Sequence, residues 1–172
     1  MTRRSKILVA LGLVLFLVVL GILLFDWNLL RGPAAHYVSQ KTGRMFIIHG
    51  DLNVKLSKTP LIEMHNVVLG NARWGSQPRM AEVARVAFRI DLRELFHRRI
   101  VLPDIELSEP TLLLETDAQG MGNWQFNQAH GASFAGPVIG ELRIVKGRVG
   151  YRASDMQTAI NLALSSATPV AY

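Results

Sequence analysis

Between Met45 and Leu164, apolar side chains recur at every second position in one stretch after another. In "RMFIIHGDLNVKLS" (Arg44 to Ser57) the even positions read Phe46, Ile48, Gly50, Leu52, Val54 and Leu56, while His49, Asp51, Asn53 and Lys55 hold the odd ones. In "MAEVARVAFRIDL", Ala84, Val86, Phe88, Ile90 and Leu92 alternate with Arg85, Ala87, Arg89 and Asp91. A period of two marks a strand with one apolar and one wetted side. At least six strands of this kind have an apolar side to cover, and that need constrains the fold more than any other feature.

The chain offers little to cover them. After Gly32-Pro33, Leu30, Ala34, Tyr37, Val38 and Lys41 fall on one side of a short amphipathic helix that Gly43 stops. "RELFHRR" (Arg93 to Arg99) makes one or two helical turns and is mostly charged. Strands are expected over Leu61–Leu69, Ile100–Leu107, Thr111–Thr116 and Thr158–Leu164, with a loop at Gly70–Pro78 and a turn at Asp117–Asn123. "GELRIVKGRVGYRA" reads as a tight hairpin about Lys146-Gly147, pairing Ile144 with Val149 and Leu142 with Tyr151. Eight strands abreast would span about 38 Å, more than two short helices can shield. The sheet either folds on itself as a sandwich or curls into a groove whose inside stays apolar. The sequence ends in "SSATPVAY" without a capping element, so a longer protein is expected.

Ahead of the strands, Ile7 to Phe25 is 19 residues without a charge or polar side chain. As a helix it measures about 28 Å, near the roughly 30 Å hydrocarbon thickness of a bilayer. Signal peptides carry apolar regions of about 7–15 residues, and the small residues of "PAAHY" (Pro33 to Tyr37) lie too late for cleavage, so an uncleaved membrane anchor is expected. Arg3, Arg4 and Lys6 precede it, which puts the N-terminus in the cytoplasm. Trp27, just past the run, suits headgroup depth. The expected organisation is a cytoplasmic tip and anchor over 1–25, a juxtamembrane helix over 26–44, and a β-domain over 45–172.

The net charge of +6 includes those three basic residues, and all 13 acids lie after the run. The remainder carries 16 basic and 13 acidic side chains, a net +3, well mixed. That is a solvated surface with no nucleic-acid footprint. The absence of cysteine leaves no disulfide framework or thiolate metal site. His49 and His65 are possible cross-strand neighbours, but exposed strand histidines are the expectation. Asp104 and Glu106 share a strand side and read as its wet face. "GMGN" lacks the Lys-Ser/Thr and helix of a phosphate loop. No catalytic residue, metal site or cofactor is expected, and the chain does not read as an enzyme. Trp74 and Trp124 read as apolar plugs closing turns.

Five stretches in order carry a resemblance: "DWNLLRGPAAHYVSQKTGR", "GDLNVKLSKTP", "VVLGNARWGSQP", "RIVLPDIELSEPTLLLE" and "GNWQF". Together they resemble the N-terminal region of the AsmA family of bacterial envelope proteins. "DAQGMGNW" has one residue more than that family's turn. The resemblance implies an inner-membrane anchor and a periplasmic curled antiparallel sheet akin to the chorein-type bridge proteins, which carry glycerolipids along an apolar groove. The groove residues expected here are Phe46, Ile48, Leu52, Val54, Leu56, Val86, Phe88, Ile90, Leu142 and Ile144. Trp27, Arg3, Arg4 and Lys6 would meet the membrane interface. The partner would be phospholipid, in support of outer-membrane lipid homeostasis. The competing expectation is an assembly factor that binds outer-membrane proteins by strand addition at an open edge.

Overall fold

The computed structural model describes residues 3–126, 137–153 and 159–166. Helix α1 spans Arg3–Leu23, a 3-10 turn spans Trp27–Leu30, and α2 spans Arg31–Thr42. Strands β1 (Phe46–Ile48), β2 (Leu52–Lys55), β3 (Leu61–Gly70) and β4 (Arg79–Arg89) follow. Then come α3 (Leu92–Phe96), β5 (Val101–Ser108), β6 (Thr111–Thr116), β7 (Val138–Val145), β8 (Gly147–Ala153) and β9 (Ala159–Leu164). The fold is mainly β, with few short helices and a sheet that does not close.

Over the described residues, no single helix is long and apolar enough to cross a membrane; Ala10–Ile22 and Trp27–Thr42 qualify only together, as a pair bent by 73°. The apolar side chains of α1 are not covered by the rest of the protein: Leu11, Leu13, Val14, Leu15, Phe16 and Leu17 are all exposed. Asp26 caps the following 3-10 turn through Asn28 N, and Gly43 ends α2 in the left-handed conformation at φ 66°. The side of α2 turned to the protein differs from the expected one. Tyr37 and Leu30 are exposed, and Arg31, Ala34, Ala35, Val38, Ser39 and Thr42 are the partly covered residues of α2. Small residues let the helix backbone approach β1. Ser39 Oγ accepts from Phe46 N at 2.9 Å.

The sheet is mixed rather than antiparallel. β5 pairs with β7 in parallel, and β6 pairs with β8 in parallel. The hairpin expected about Lys146 is absent: β7 and β8 are collinear halves of one bent strand, and neither pairs with the other. A two-residue type I′ hairpin turn needs left-handed backbone at both central residues, and type II′ calls for glycine at the first. Here Lys146 alone has it, at φ 54°, which bends the chain without reversing it. β5 and β6 are likewise one bent strand, broken at Glu109 (φ 51°) and Pro110. β1 and β2 both pair with β3, separated by a one-residue register slip at His49–Gly50. Nine segments therefore make six long strands, and the width is about 29 Å instead of the expected 38 Å.

The slip and the left-handed residues lie on one line. The flanking registers place Asn66 (φ 52°) opposite Ala84, Ala84 opposite Glu109, and Glu109 beside Lys146. This crease crosses the sheet at right angles to the strands. At it the apolar phase shifts by one residue: Met64 is followed by Val67, Val83 by Val86, Leu107 by Leu112, and Ile144 by Val149. In regular strands such odd spacings would send the two halves to opposite sides. A left-handed residue lies at the break in three of these strands, Asn66 in β3, Glu109 between β5 and β6, and Lys146 between β7 and β8. A Cβ on Gly147 would lie 2.6 Å from Ile144 Cγ2, so positions three apart face the same way. Along β7 and β8 the apolar side therefore continues across the crease.

Candidate functional site

Paired residues on neighbouring strands share a side, and the registers assemble the apolar residues into rows. One row is Val54, Ile62, Phe88, Ile105 and Leu142, running β2-β3-β4-β5-β7. The next is Leu52, Met64, Val86, Leu107 and Ile144. Beyond the crease, Phe46 and Leu69 pair on the same side, Ala81 pairs Leu112, and Leu112 pairs Val149, which pairs Leu162. No polar side chain interrupts either five-strand row.

Cover over these rows is uneven. The 3-10 turn and α2 lie at the β1–β2 edge, where Ile48, Leu52 and Val67 are buried. Asn28 Oδ1 accepts from Leu52 N at 3.0 Å, and Arg31 Nη1 donates to Gly50 O at 2.9 Å. Across the middle, Ile62, Val86, Phe88 and Ile105 are half-buried. At the far edge Leu142 is 49% exposed and Leu162 54%. Among the described residues no second sheet lies over these rows. Fully buried apolar side chains are correspondingly few, and the most completely buried large side chain is the polar Asn123. A packed sandwich would bury the middle rows outright.

The opposite side is ionic. Lys55–Glu63 (3.0 Å), Glu63–Arg85 (2.5 Å), Arg85–Glu106 (2.6 Å), Glu106–Arg143 (3.7 Å) and Arg143–Glu141 (3.0 Å) form a chain over the same five strands. Arg89 and Asp104 pair beside it. Asp104 and Glu106 are therefore ion-pair partners on a wet surface, as expected of them. Arg85, then Lys55, holds the Glu63 carboxyl below the ordinary carboxylate range, and Glu63 in turn raises the Arg85 guanidinium.

Loops close the end beyond the crease. Glu115, on the ionic side of β6, accepts from Ser76 N, Ser76 Oγ and Asn71 Nδ2. Asn123 acts as a substitute strand where β4 leaves β6: its N donates to Glu115 O, its Oδ1 accepts from Glu115 N, and its Nδ2 donates to Leu113 O. A Cβ on Gly122 would lie 2.3 Å from the Trp124 ring, so "GNW" works as one unit. Trp74 and Trp124 remain 40% and 41% exposed. Trp74 lines a hollow of about 680 Å³ with Arg44 and Arg73, apart from the apolar rows.

Of the ten expected groove residues, Phe46, Ile48, Leu52, Val54, Val86, Phe88, Leu142 and Ile144 lie on the apolar side. Leu56 is exposed in the loop after β2, and Ile90 follows β4 outside any strand. Sequence reasoning passed over Ile62, Met64, Ile105 and Leu107, the middle of both rows, although each alternates within its own strand. It also missed Asn123 and Glu115, whose burial depends on distant loops. Trp27 stacks edge-on against Phe25 at 5.1 Å, and Arg3, Arg4 and Lys6 lie at the start of α1. His49 and His65 flank the register slip, and no group of metal-binding side chains gathers among the described residues.

The sequence matches the model of the AsmA family over residues 1–163, nearly the whole chain. The chain belongs to the AsmA family. That family is envelope-associated, and an AsmA protein is thereby a protein of the cell envelope. No curated protein and no solved structure matches the chain.

Proposed function

We propose that this AsmA protein is anchored in the inner membrane by α1 and shields phospholipid acyl chains along the apolar side of its periplasmic sheet, in support of outer-membrane lipid homeostasis. The observation that carries this reading is the pair of unbroken apolar rows across five strands, covered at the β2 end and with no second sheet over them among the described residues. An exposed apolar surface of that extent calls for an apolar occupant. Each methylene moved from water to such a surface gains about 0.8 kcal/mol. The rows offer no hydrogen-bonding group to fix a headgroup, so an acyl chain is free to slide. The Ile7–Phe25 run, with Arg3, Arg4 and Lys6 ahead of it, supports the anchor and its orientation. Transfer on this reading is passive, and no residue of the site does bond-making chemistry.

Strand addition by outer-membrane proteins is the second reading. Among the described residues, β7 and β9 each have a single neighbour and so present free edges. A photo-crosslinking residue at Phe88 or Arg89 in the full-length protein separates the two. On the lipid reading, Phe88 captures phospholipid, identified by mass spectrometry, and Arg89 on the ionic side does not. Equal capture at both positions, or capture of protein alone at β7 and β9, would overturn it.

A further inference from the structure

One end of the sheet carries an apolar patch that the rows do not include. α3 and the turn after it join β4 to β5. There Phe96 is 86% exposed, the most exposed large apolar side chain described, with Leu95 and Ile100 exposed beside it. The backbone of this tip is held firmly. Asp91 caps α3 by accepting from Arg93 N and Glu94 N. His97 N and Arg99 N donate to Glu94 O, and Arg98 N donates to Leu95 O. Phe96 is therefore presented outward by an ordered turn.

The tip is also basic. Arg93, Arg98 and Arg99 flank Phe96 along the chain, and Lys58 lies in the adjoining loop, which Pro60 O ties to Ile90 N. Two acids are close, and both are engaged. Asp91 caps the helix, and Glu94 pairs with Arg99 at 3.3 Å. Among the described residues no carboxylate lies within ion-pair distance of Arg93, Arg98 or Lys58. Aromatic and aliphatic side chains ringed by arginine suit a bilayer surface, where the apolar groups enter between headgroups and the guanidinium groups meet lipid phosphates.

The position of the tip fits the same surface. The chain leaves α1 at the 3-10 turn, which Asn28 pins to Leu52. From Leu52 to Lys55 is about 10 Å along β2, and β4 lies about 10 Å to the side. Lys55, Leu61 and Arg89 form one row, and α3 follows directly. The tip thus lies on the order of 15–20 Å from the point where α1 joins the body.

We propose that Phe96 and Leu95, with Arg93 and Arg98, form a second membrane contact that docks on the anionic headgroup surface of the bilayer holding α1. Two contacts fix the tilt of the sheet, where one anchor would leave it free to swivel. They set the strand ends beside α3, next to the row through Phe88 and Ile105, against the membrane. This inference rests on the anchor part of the proposed function and is independent of lipid binding along the rows.

The absence of cysteine makes the test direct. The full-length protein is reconstituted as single-cysteine variants carrying a polarity-sensitive fluorophore at Phe96→Cys, at Gln119→Cys on the opposite end, or at Leu24→Cys beside the anchor. Vesicles contain phosphatidylcholine with or without phosphatidylglycerol, plus lipids brominated high in the acyl chain. The label at position 96 should be quenched severalfold more than that at 119 when phosphatidylglycerol is present. It should fall to the level of 119 in phosphatidylcholine alone, or with Arg93→Glu and Arg98→Glu. Equal signals at 96 and 119 in phosphatidylglycerol, or quenching at 96 that ignores the anionic lipid, would overturn the inference. Quenching at 24 in every vesicle while 96 stays silent removes this contact and leaves the anchor standing. Silence at 24 removes both.

Discussion

Glu63 shows how one residue can stabilise a sheet that has little core. Its side chain is nearly buried, it joins β2 to β4 through Lys55 and Arg85, and Arg85 carries the link on to Glu106. Glu63→Gln should cost about 1–3 kcal/mol in urea unfolding, because Arg85 keeps one carboxylate partner but loses a charge-assisted one. The pH dependence has a definite sign. The folded carboxyl titrates below its ordinary value near 4.5, so its contribution is full above that value and is lost as pH falls through the lower folded one. Wild-type protein should lose stability on acidification below about pH 4.5 more steeply than Glu63→Gln; parallel curves would deny Glu63 this role. Asn66 is a different case, because its left-handed backbone is the requirement. Asn66→Gly should be nearly neutral and Asn66→Val should cost about 1–2 kcal/mol, since a β-branched residue resists that conformation. Equal stability in the two variants would mean that the crease does not depend on this residue.

At the scale of elements, most strands were legible in the sequence because each keeps a clean period of two over its own length. Leu61–Gly70, Thr111–Thr116 and Ala159–Leu164 fall within a residue or so of where alternation puts them. The same alternation misled at Lys146. Ile144 and Val149 are symmetric about Lys146-Gly147, and a hairpin and a bent strand then share one local pattern. Only the partners decide, and β5 and β6 are far away in sequence. The crease did leave a trace, the odd spacing from Met64 to Val67 and from Ile144 to Val149, which becomes readable only when it recurs on neighbouring strands. Asn123 left less. A polar residue in a turn looks exposed until Leu113 and Glu115 are seen to need its amide. Asn123→Ala should cost about 2–3 kcal/mol by leaving a buried N–H and a part-buried carbonyl unpaired. Hydrogen exchange should speed up at Glu115 N, with that at Val86 N unchanged. Protection at Glu115 that survives the substitution would show that another group takes over.

At the scale of the molecule, a single sheet with one ionic side and one apolar side covered only at its β1–β2 edge has an unusual response to charge. Six strands abreast span about 29 Å, less than the roughly 40–45 Å of a whole bilayer with its headgroups, so this sheet alone is too short to join two membranes. It can still hold or block an acyl chain, and Phe88, at the centre of a row, tests which side of the protein does so. In a packed core an unpaired Asp costs several kcal/mol against a total of about 5–15, and the protein unfolds. On a half-buried, uncovered row the new carboxylate keeps water whenever lipid is absent. Phe88→Asp in the full-length protein should therefore reach normal abundance and melt within a few degrees of wild type. Lipid crosslinking from a probe at Val86 should fall severalfold, because a charge on the row turns acyl chains away. Arg89→Gln, one residue along on the ionic side, should leave that crosslinking intact. Degradation of Phe88→Asp would mean that protein covers this row in the cell. A folded Phe88→Asp that crosslinks lipid as wild type does would move the lipid path off these strands.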